Sequence, residues 1–295
     1  MGKAASGAGR RQRRSCSRSP MLPPGQSSRG TLRFIPKCVC TSVAGMVGDA
    51  VAAGDADIAP VAALMGEPAR AAVLMALLDG RALAASTLAA EAGVAASTLS
   101  AHLARLVDGG LVSVEASGRN RYFRITSPEV ADALEALARI APCRPIRSLR
   151  QGTHAEAIRP ARTCYDHLAG RLGVALCDAL LAGEVLGVEE DPGGRPDPVL
   201  GAGRSRRYVL TEAGRARLCE LGVDVETTGR RPLTRYCLDW SEQRPHLAGS
   251  LGASLLRRFV DLGWVTRGER RVVRVSDAGR TGLARDLGVA AGDWA

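Results

Sequence analysis

A chain of 295 residues is long enough for two modest domains, each with its own core. Its longest apolar runs are interrupted by alanine and glycine and are too short to span a membrane, which argues against a membrane protein. The formal charge of +10 is typical of proteins with nucleic-acid partners, but residues 1–45 alone contain nine Lys/Arg and no acidic residue. The rest of the chain has 31 basic and 30 acidic residues, so the excess charge belongs to the N-terminal tail.

Residues 1–50 lack hydrophobic periodicity, and we predict that they form a disordered basic tail. No sustained apolar core follows the arginine run of this tail, which argues against a secretory signal. Two interpretations remain. The tail is a DNA-binding arm, or translation begins at Met46, immediately before the first domain; we prefer the start at Met46.

The chain has eight cysteines without the regular spacing of a disulfide framework. With no secretory signal, this pattern favours free thiols in a reducing cytoplasm. Cys38 and Cys40 are spaced for a soft metal, but they fall in the tail and are discounted. Cys143, Cys177 and Cys219 are predicted to be core residues.

Residues 51–141 are predicted to form a winged helix-turn-helix domain. A first helix with an apolar face ends at Gly93, which permits a sharp turn. The second helix has its apolar residues at helical spacing, namely Leu99, Leu103, Leu106 and Val107. Its other face is small or polar, which suits a helix that enters a major groove about 12 Å wide. A short hairpin with a basic tip, 117–124, follows as the wing.

This pattern predicts which side chains contact DNA. The predicted set is Ser97, Thr98, Ser100, Ala101, His102, Arg105, Arg119 and Arg121. The small residues at 97, 100 and 101 should approach base edges, and the arginines should bind phosphate, with a wing arginine able to enter the minor groove. Thr98 and His102 should contact the DNA backbone or fix the helix. The alternative is an ordinary helical hairpin with a solvated turn, which the adjacent basic wing disfavours.

The last helix of this domain, 128–140, has an apolar stripe longer than one small domain needs. Together with the first helix it could form the seam of a dimer. The stripe consists of Val130, Ala133, Leu134 and Leu137, and the first helix adds Ile58, Val61 and Leu64.

Three segments, in the same order, resemble the ArsR/SmtB winged-helix repressors. They are 66–74 (GEPARAAVL), 97–103 (STLSAHL) and the wing 118–122 (GRNRY). The resemblance covers roughly residues 58–141. It implies a homodimer, built from the first and last helices of the domain, that binds an inverted repeat in double-stranded DNA. It also implies repression that an inducer releases.

Two metal sites known in that family are missing from this sequence. Its thiol-sensing members have a Cys-x-Cys pair on the helix before the recognition helix, but residues 84–92 contain no cysteine. Other members place Asp and His ligands on the last helix of the domain, but residues 128–141 contain no histidine. The signal that this chain senses must therefore differ.

After an arginine-rich linker, 142–160, residues 161–295 contain an internal repeat. The sequence HLAGRLG at 167–173 recurs as HLAGSLG at 246–252, and LTEAGR at 210–215 recurs as VSDAGR at 275–280. We predict in each copy a helix opened by His-Leu-Ala-Gly, a strand or hairpin, and a helix N-capped by Thr211 or Ser276. Two such copies suggest a pseudo-symmetric regulatory domain resembling degenerate winged helices, with a ligand pocket at the shared surface.

Candidate sensing residues lie inside this repeat. Cys164 and His167 are three residues apart and are expected on one face of a helix, whereas Cys237 precedes His246 by nine residues. If the copies face each other, the four side chains converge into a Cys₂His₂ set suited to a zinc-like or soft metal ion. Against this, each histidine could cap its own copy, and Gln243 rather than a cysteine aligns with Cys164. A thiol-redox or electrophile sensor and purely structural roles stay open.

Taken together, the sequence predicts a mainly α (α+β) cytoplasmic, homodimeric DNA-binding transcriptional regulator without a membrane partner. A thiol- or metal-dependent enzyme using Cys164, His167, Cys237 and His246 is the alternative. It is disfavoured because two side chains on one helix face suit co-ligation better than proton abstraction, and because the chain lacks a phosphate loop, a nucleotide fingerprint and a serine elbow. A DNA-independent interaction protein is disfavoured by the polar outer face of the second helix and the wing arginines.

Overall fold

The computed structural model describes residues 55–142, 145–146, 148–190, 206–226 and 231–295. The predicted disordered tail, with Cys38 and Cys40, lies outside these residues, as does Cys143. Among the helices described, no single one has the length and apolarity to cross a membrane, and only the first two helices, bent by 87° at their junction, reach that length together.

From residue 55 to residue 142, the chain forms five helices and a small sheet. In chain order its elements are α1 (Ala59–Gly66), α2 (Pro68–Leu77), β1 (Leu83–Ala84), α3 (Ala85–Ala92), α4 (Ala96–Asp108), β2 (Val112–Ser117), β3 (Asn120–Ile125) and α5 (Pro128–Ile140). The three strands form an antiparallel sheet in the order β1-β3-β2. Strands β2 and β3 are the wing, and the predicted winged helix-turn-helix fold is confirmed.

Local sequence explains the ends of these helices. Helix α2 starts at Pro68, and the side chain of Glu67 accepts hydrogen bonds from the backbone N–H of Ala69 and Arg70. Helix α3 ends at Gly93, whose φ of 66° lies in the left-handed region that glycine adopts without strain. The chain then turns directly into α4.

The leucines of α4 are buried as their spacing predicts. They pack with α2, α3, the wing and α5 into one hydrophobic core, which includes Leu74, Leu88, Leu99, Leu106 and Phe123. Burial of this face against the other helices fixes the direction in which the opposite face of α4 points.

The C-terminal half repeats one order of elements. After α6 (Leu149–Ile158), the first segment has β4 (Arg162–Cys164), β5 (His167–Ala169), α7 (Gly170–Ala182), β6 (Leu186–Glu190), β7 (Arg206–Leu210) and α8 (Glu212–Glu220). The second has β8 (Arg235–Leu238), β9 (Pro245–Ala248), α9 (Gly249–Asp261), β10 (Val265–Arg267), β11 (Val273–Val275) and α10 (Asp277–Leu287), followed by a 3₁₀ turn at Ala291–Asp293. Each segment is therefore hairpin, helix, hairpin, helix, with all four hairpins antiparallel. The suggested relation to winged helices stays a prediction.

The sequence-based prediction that His-Leu-Ala-Gly opens a helix is wrong in part. His167 and His246 lie on strands β5 and β9, and the helices begin only at Gly170 and Gly249. Both glycines have a positive φ, 76° and 87°, and a β-carbon at either position would lie 2.6 Å from a backbone carbonyl oxygen. The motif is therefore a strand-to-helix corner, which requires glycine.

The second motif behaves as predicted. Thr211 and Ser276 are the N-caps of α8 and α10, and their hydroxyls accept hydrogen bonds from the N–H of Gly214 and Gly279. A β-carbon at Gly214 would lie 2.2 Å from the carbonyl oxygen of Val185, and one at Gly279 would lie 2.1 Å from that of Trp264. The same close approach of helix to strand thus occurs in both segments.

Residues Asp57–Ala295 form one compact unit, with a second hydrophobic core inside the C-terminal half.

Candidate nucleic-acid interface and candidate metal centre

The outer face of α4 is open to solvent. Five of its predicted contact residues, Ser97, Thr98, Ser100, Ala101 and Arg105, are exposed, so the described part of the C-terminal half does not cover them. The Ser100 hydroxyl donates a hydrogen bond of 2.9 Å to the carbonyl oxygen of Ala96, one turn earlier. This face is small, polar and unobstructed, and these are the properties that a helix needs to enter a major groove.

His102 differs from the other predicted contact residues of α4 because it is half-buried. Its Nδ1 lies 3.4 Å from Oε2 of Glu67, the residue that caps α2. The hydrogen bond from the N–H of Arg70 holds the pKa of Glu67 below its usual value, so the carboxylate is ionised. His102 therefore contacts the start of α2, which favours the second of its two predicted roles, fixing α4.

The tip of the wing presents two arginines. Ser117 and Asn120 pair across the strands, with Gly118 at φ 60° and Arg119 forming the turn between them. Arg119 and Arg121 are exposed, and within the described residues neither lies at ion-pair distance from a carboxylate. Arg124, by contrast, pairs with Glu115 at 3.0 Å. The wing therefore leaves cationic groups available beside α4.

Part of the predicted dimer seam is exposed and part is not. Ile58, Val61 and Leu137 are exposed, and so is Ile140 at the end of α5. Leu134 is buried in the core of its own domain, so it is not a seam residue. The exposed apolar groups occupy the first and last helices of the domain.

Four side chains of the C-terminal half converge on one point. Cys164 pairs with His167 across hairpin β4–β5, and Cys237 pairs with His246 across hairpin β8–β9. One nitrogen or sulfur atom from each of the four lies within 4.8 Å of those of the others. The two Sγ atoms are 3.9 Å apart, and the imidazole rings stack with their centroids 5.1 Å apart. We call these four residues the Cys–His cluster.

The predicted placement of Cys164 and His167 on one helix face is wrong. They are cross-strand neighbours in a hairpin, where directly opposed side chains approach each other. The alignment of Cys164 with Gln243 is also misleading, because the hairpin register makes Cys237 its counterpart. The first hairpin has two residues between its cysteine and histidine, and the second has eight. An alignment without gaps cannot match the two cysteines.

The two segments hold each other's histidines in place. A β-carbon at Gly252 of α9 would lie 3.1 Å from Cβ of His167, and one at Gly173 of α7 would lie 3.6 Å from Cβ of His246. Each glycine is also confined within its own segment, since a β-carbon at Gly173 would lie 2.6 Å from the carbonyl oxygen of Leu168, and one at Gly252 would lie 2.6 Å from that of Leu247. The close approach of each helix to the histidine of the other segment explains why the motif His-Leu-Ala-Gly-x-Leu-Gly ends in glycine, at Gly173 and Gly252.

Two aspartates that were not predicted as part of a metal site, Asp166 and Asp239, lie beside the histidines on the outside of the cluster. Nδ1 of His167 lies 3.3 Å from Oδ1 of Asp166, which also accepts a 2.9 Å hydrogen bond from Nη2 of Arg231. Nδ1 of His246 lies 3.9 Å from Oδ2 of Asp239. An Asp two residues after each cluster cysteine was the signal available in the sequence.

Asp239 also connects the two segments. Its side chain is buried and accepts hydrogen bonds from Nη2 of Arg162 at 2.5 Å and from the N–H of Gly170 at 2.7 Å. Burial works against ionisation, but Arg162 and the neighbouring groups hold the pKa of Asp239 well below its usual value. The carboxylate is thus a fixed negative charge next to His246.

The electrostatics of the cluster favour charge separation. Burial lowers the pKa of His167, but the Asp166 carboxylate and the Cys237 sulfur outweigh it and raise that pKa to about 9. The hydrogen bond between the thiols lowers the pKa of Cys237 and raises that of Cys164. Before any ligand binds, Cys237 is therefore the more acidic thiol and lies next to a protonated imidazole.

The remaining described cysteines lie in the second hydrophobic core. Cys177 is a core residue, and burial raises its pKa to about 12. Cys219 packs against the same core. Both agree with the sequence-based expectation.

Comparison with known proteins supplies the class. Residues 65–115 match the family described as a helix-turn-helix domain. The HTH-type transcriptional regulator YdfF of Bacillus subtilis (strain 168) is 34% identical over 236 residues, which cover 79% of this chain and 98% of that protein. The chain is thus a DNA-binding transcriptional regulator with a winged helix-turn-helix of the ArsR type, as predicted. It belongs to the family of HTH-type transcriptional regulators.

Solved structures with similar sequences match about a quarter of the chain. NolR from Sinorhizobium fredii is 32% identical over 28% of this chain and 81% of its own, with a TM-score of 0.26. Reduced HlyU from Vibrio cholerae N16961 is 28% identical over 28% of this chain and 87% of its own, with a TM-score of 0.27. The homodimeric winged helix-turn-helix domain Mb0332 from Mycobacterium bovis is 29% identical over 27% of this chain and 73% of its own, with a TM-score of 0.25.

Proposed function

We propose that this regulator is a cytoplasmic repressor that binds an inverted-repeat operator in double-stranded DNA as a homodimer, and that an effector bound in the C-terminal half releases it. The main observation in support is the exposed, small-residue face of α4 beside the wing arginines Arg119 and Arg121, which have no ion-pair partner among the described residues. Because base edges in the major groove lie behind the phosphate backbone, a contacting helix needs this combination of slender face and flanking cations.

The proposed division of labour follows from position. Ser97, Ser100 and Ala101 approach base edges, and Thr98 contacts the DNA backbone. Arg105, at the C-terminal end of α4, binds phosphate. His102 acts indirectly, through its contact with Glu67, by holding α4 against the start of α2.

The wing arginines bind the DNA backbone or enter the minor groove. Arginine suits this role because its planar guanidinium forms paired hydrogen bonds with phosphate oxygens. Arg119 lies at the turn itself, and Arg121 lies two residues further along β3. Their distance from any carboxylate of the described chain leaves their full charge available to DNA.

The exposed apolar groups of α1 and α5 support the dimer. Ile58, Val61, Leu137 and Ile140 are large, hydrophobic and exposed, and a second copy would cover them by presenting the same surface. A two-fold dimer places its two recognition helices on half-sites about 34–36 Å apart, which is why the operator is expected to be an inverted repeat.

The C-terminal half is the proposed sensing domain, and the Cys–His cluster is its proposed effector site. The cluster can hold a metal ion, and thiolate plus imidazole ligands suit a zinc-like or soft metal.

A salt-dependent binding assay tests the DNA interface. Fluorescence anisotropy is measured with a duplex from the region upstream of the chain's own gene, over a series of salt concentrations. Arg119→Ala is expected to weaken binding to all sequences alike and to reduce the slope of log K against log salt by about 1. Arg244→Ala, which removes an exposed arginine of the C-terminal half, is the matched control and should leave the slope unchanged. An unchanged slope with Arg119→Ala would contradict the wing assignment.

A further inference from the structure

We propose that the Cys–His cluster is a closed, four-coordinate site for a d¹⁰ metal ion of the zinc class, and that the occupied site acts on DNA binding through the hairpin β4–β5. Next to Cys164, this hairpin is hydrogen-bonded to the DNA-binding domain directly at Tyr165 and indirectly, through Arg271, at Thr163. This inference rests on the proposed function and names its effector and its route of action.

The spacing of the ligand atoms fits the ion. In tetrahedral zinc sites each Zn–S bond is ~2.3 Å long, which places two sulfur atoms ~3.8 Å apart. The Sγ atoms of Cys164 and Cys237 are 3.9 Å apart, and the cluster's other ligand atoms lie within 4.8 Å. Small movements of the side chains are enough to complete the tetrahedron.

Three of the four imidazole nitrogens have no hydrogen-bond partner among the described residues. They are Nε2 of His167 and both ring nitrogens of His246, and all three are buried. A buried polar atom without a partner costs free energy, and a metal bound to both Nε2 atoms removes this cost. Asp166 and Asp239 face the opposite nitrogens, Nδ1, as the supporting carboxylates of metal-bound histidines do.

The donor set selects the class of ion. Two thiolates and two neutral imidazoles in a tetrahedron suit Zn²⁺ and related thiophilic ions, whereas Mg²⁺ and Ca²⁺ require oxygen ligands. Two thiolates also balance the charge of a divalent ion inside the protein. All four positions are filled by protein, so the site has no open position for a substrate, which distinguishes it from a catalytic metal centre.

The hairpin that supplies two of the ligands is bonded to the DNA-binding domain next to Cys164. On one side, the N–H of Tyr165 donates a 2.7 Å hydrogen bond to the carbonyl oxygen of Leu78, at the end of α2. Tyr165 also packs against the hydrophobic core of the DNA-binding domain. A displacement of the Cys164 backbone would therefore be transmitted to the end of α2 through the neighbouring residue, Tyr165.

On the other side of Cys164, the connection leads to α5. The N–H of Thr163 donates to the carbonyl oxygen of Arg271 at 2.9 Å, and Nε of Arg271 donates to the carbonyl oxygen of Thr163 at 2.8 Å. The same guanidinium forms a buried ion pair with Glu135 of α5. Helix α5 is a proposed dimer helix, so its position determines the spacing of the two recognition helices.

A cleft of about 280 Å³ lies between α5 and this hairpin, and it is lined by Ala131, Asp132, Glu135, Cys164 and His167 among others. It gives the ion a route from solvent to the cluster.

The metal site is tested on the full chain by titration with Co²⁺ and Zn²⁺ after treatment with chelator and reductant. We expect one ion per chain, and a Co²⁺ complex with the intense visible bands of four-coordinate cobalt and a thiolate charge-transfer band. Zn²⁺ should displace the Co²⁺. Cys237→Ser should abolish the charge-transfer band or weaken it, and Cys219→Ser, outside the cluster, should preserve the full spectrum. A wild-type spectrum of six-coordinate cobalt, or no uptake, would overturn the site whether or not the variants fold.

The coupling is tested separately. Anisotropy titrations of the upstream duplex with and without Zn²⁺ should show DNA affinity lowered by about 5- to 150-fold by the ion, the usual range for coupled sites. Glu135→Gln removes the ion pair between α5 and Arg271. This variant should keep the cobalt spectrum, but its DNA affinity should be nearly the same with and without Zn²⁺. Metal uptake with unchanged DNA affinity would overturn the coupling. Absence of DNA binding under all conditions would contradict the proposed function instead, and the cobalt spectrum would still decide the metal site.

Discussion

Glu135 and Arg271 form an ion pair between α5 and the C-terminal half, and its burial allows a quantitative prediction. Their side chains are 5% and 8% exposed. Removing one partner leaves the other charge buried without compensation, which typically costs about 3–5 kcal/mol. We therefore expect Glu135→Ala to lower the free energy of unfolding by about this amount, measured by urea denaturation monitored with tryptophan fluorescence.

The matched control is an exposed pair with the same charges. Glu115 and Arg124 of the wing lie 3.0 Å apart, and their side chains are 59% and 47% exposed. Solvent screens such a pair, so Glu115→Ala should cost less than about 1 kcal/mol. Equal effects of the two substitutions would refute the reasoning, because they would show that the Glu135–Arg271 pair is solvated or absent in solution.

Three further substitutions test other parts of the structure. Ser100→Arg fills the outer face of α4 and should abolish or redirect sequence-specific binding while binding to scrambled DNA persists, as anisotropy would show. Leu137→Glu should convert the dimer into monomers in sedimentation experiments, whereas Val260→Glu, at a similarly exposed apolar position of α9, should not. Gly252→Ala brings a β-carbon to 2.6 Å from the Leu247 carbonyl oxygen and should destabilise the protein by about 1–3 kcal/mol and weaken metal binding, while Gly292→Ala, with open space around it, should do neither.

The DNA-binding half was predictable from sequence because its information is local. The leucines of α4 repeat at helical spacing, Gly93 marks the turn, and Gly118 marks the tip of the wing. Each of these signals lies within a few residues of the structure that it specifies. The outer face of α4 then follows by elimination, since the buried face is known.

The sequence predicted which four residues form the Cys–His cluster, but not the strands and strand pairing that bring them together. The four residues of the Cys–His cluster were named together, but a strand of three residues before a glycine has too little periodicity to be distinguished from the start of a helix. The pairing of Cys237 with His246 depends on strand register across a six-residue loop, 239–244, which composition does not encode. The supporting role of Asp166 and Asp239 was not predicted, because it depends on which histidine nitrogen faces each carboxylate.

The exchange of histidine contacts between α7 and α9 has an evolutionary consequence. Each segment offers the small residue under which the other's imidazole fits, and each contributes half of the donor set. A chain truncated between the segments would keep Cys164 and His167 but lose Cys237 and His246, and a bulky side chain at Gly252 would displace His167 of the other segment. Substitutions in α7 and α9 are therefore expected to be coupled, whereas the hairpin loops already differ in length, with two residues between Cys164 and His167 and eight between Cys237 and His246.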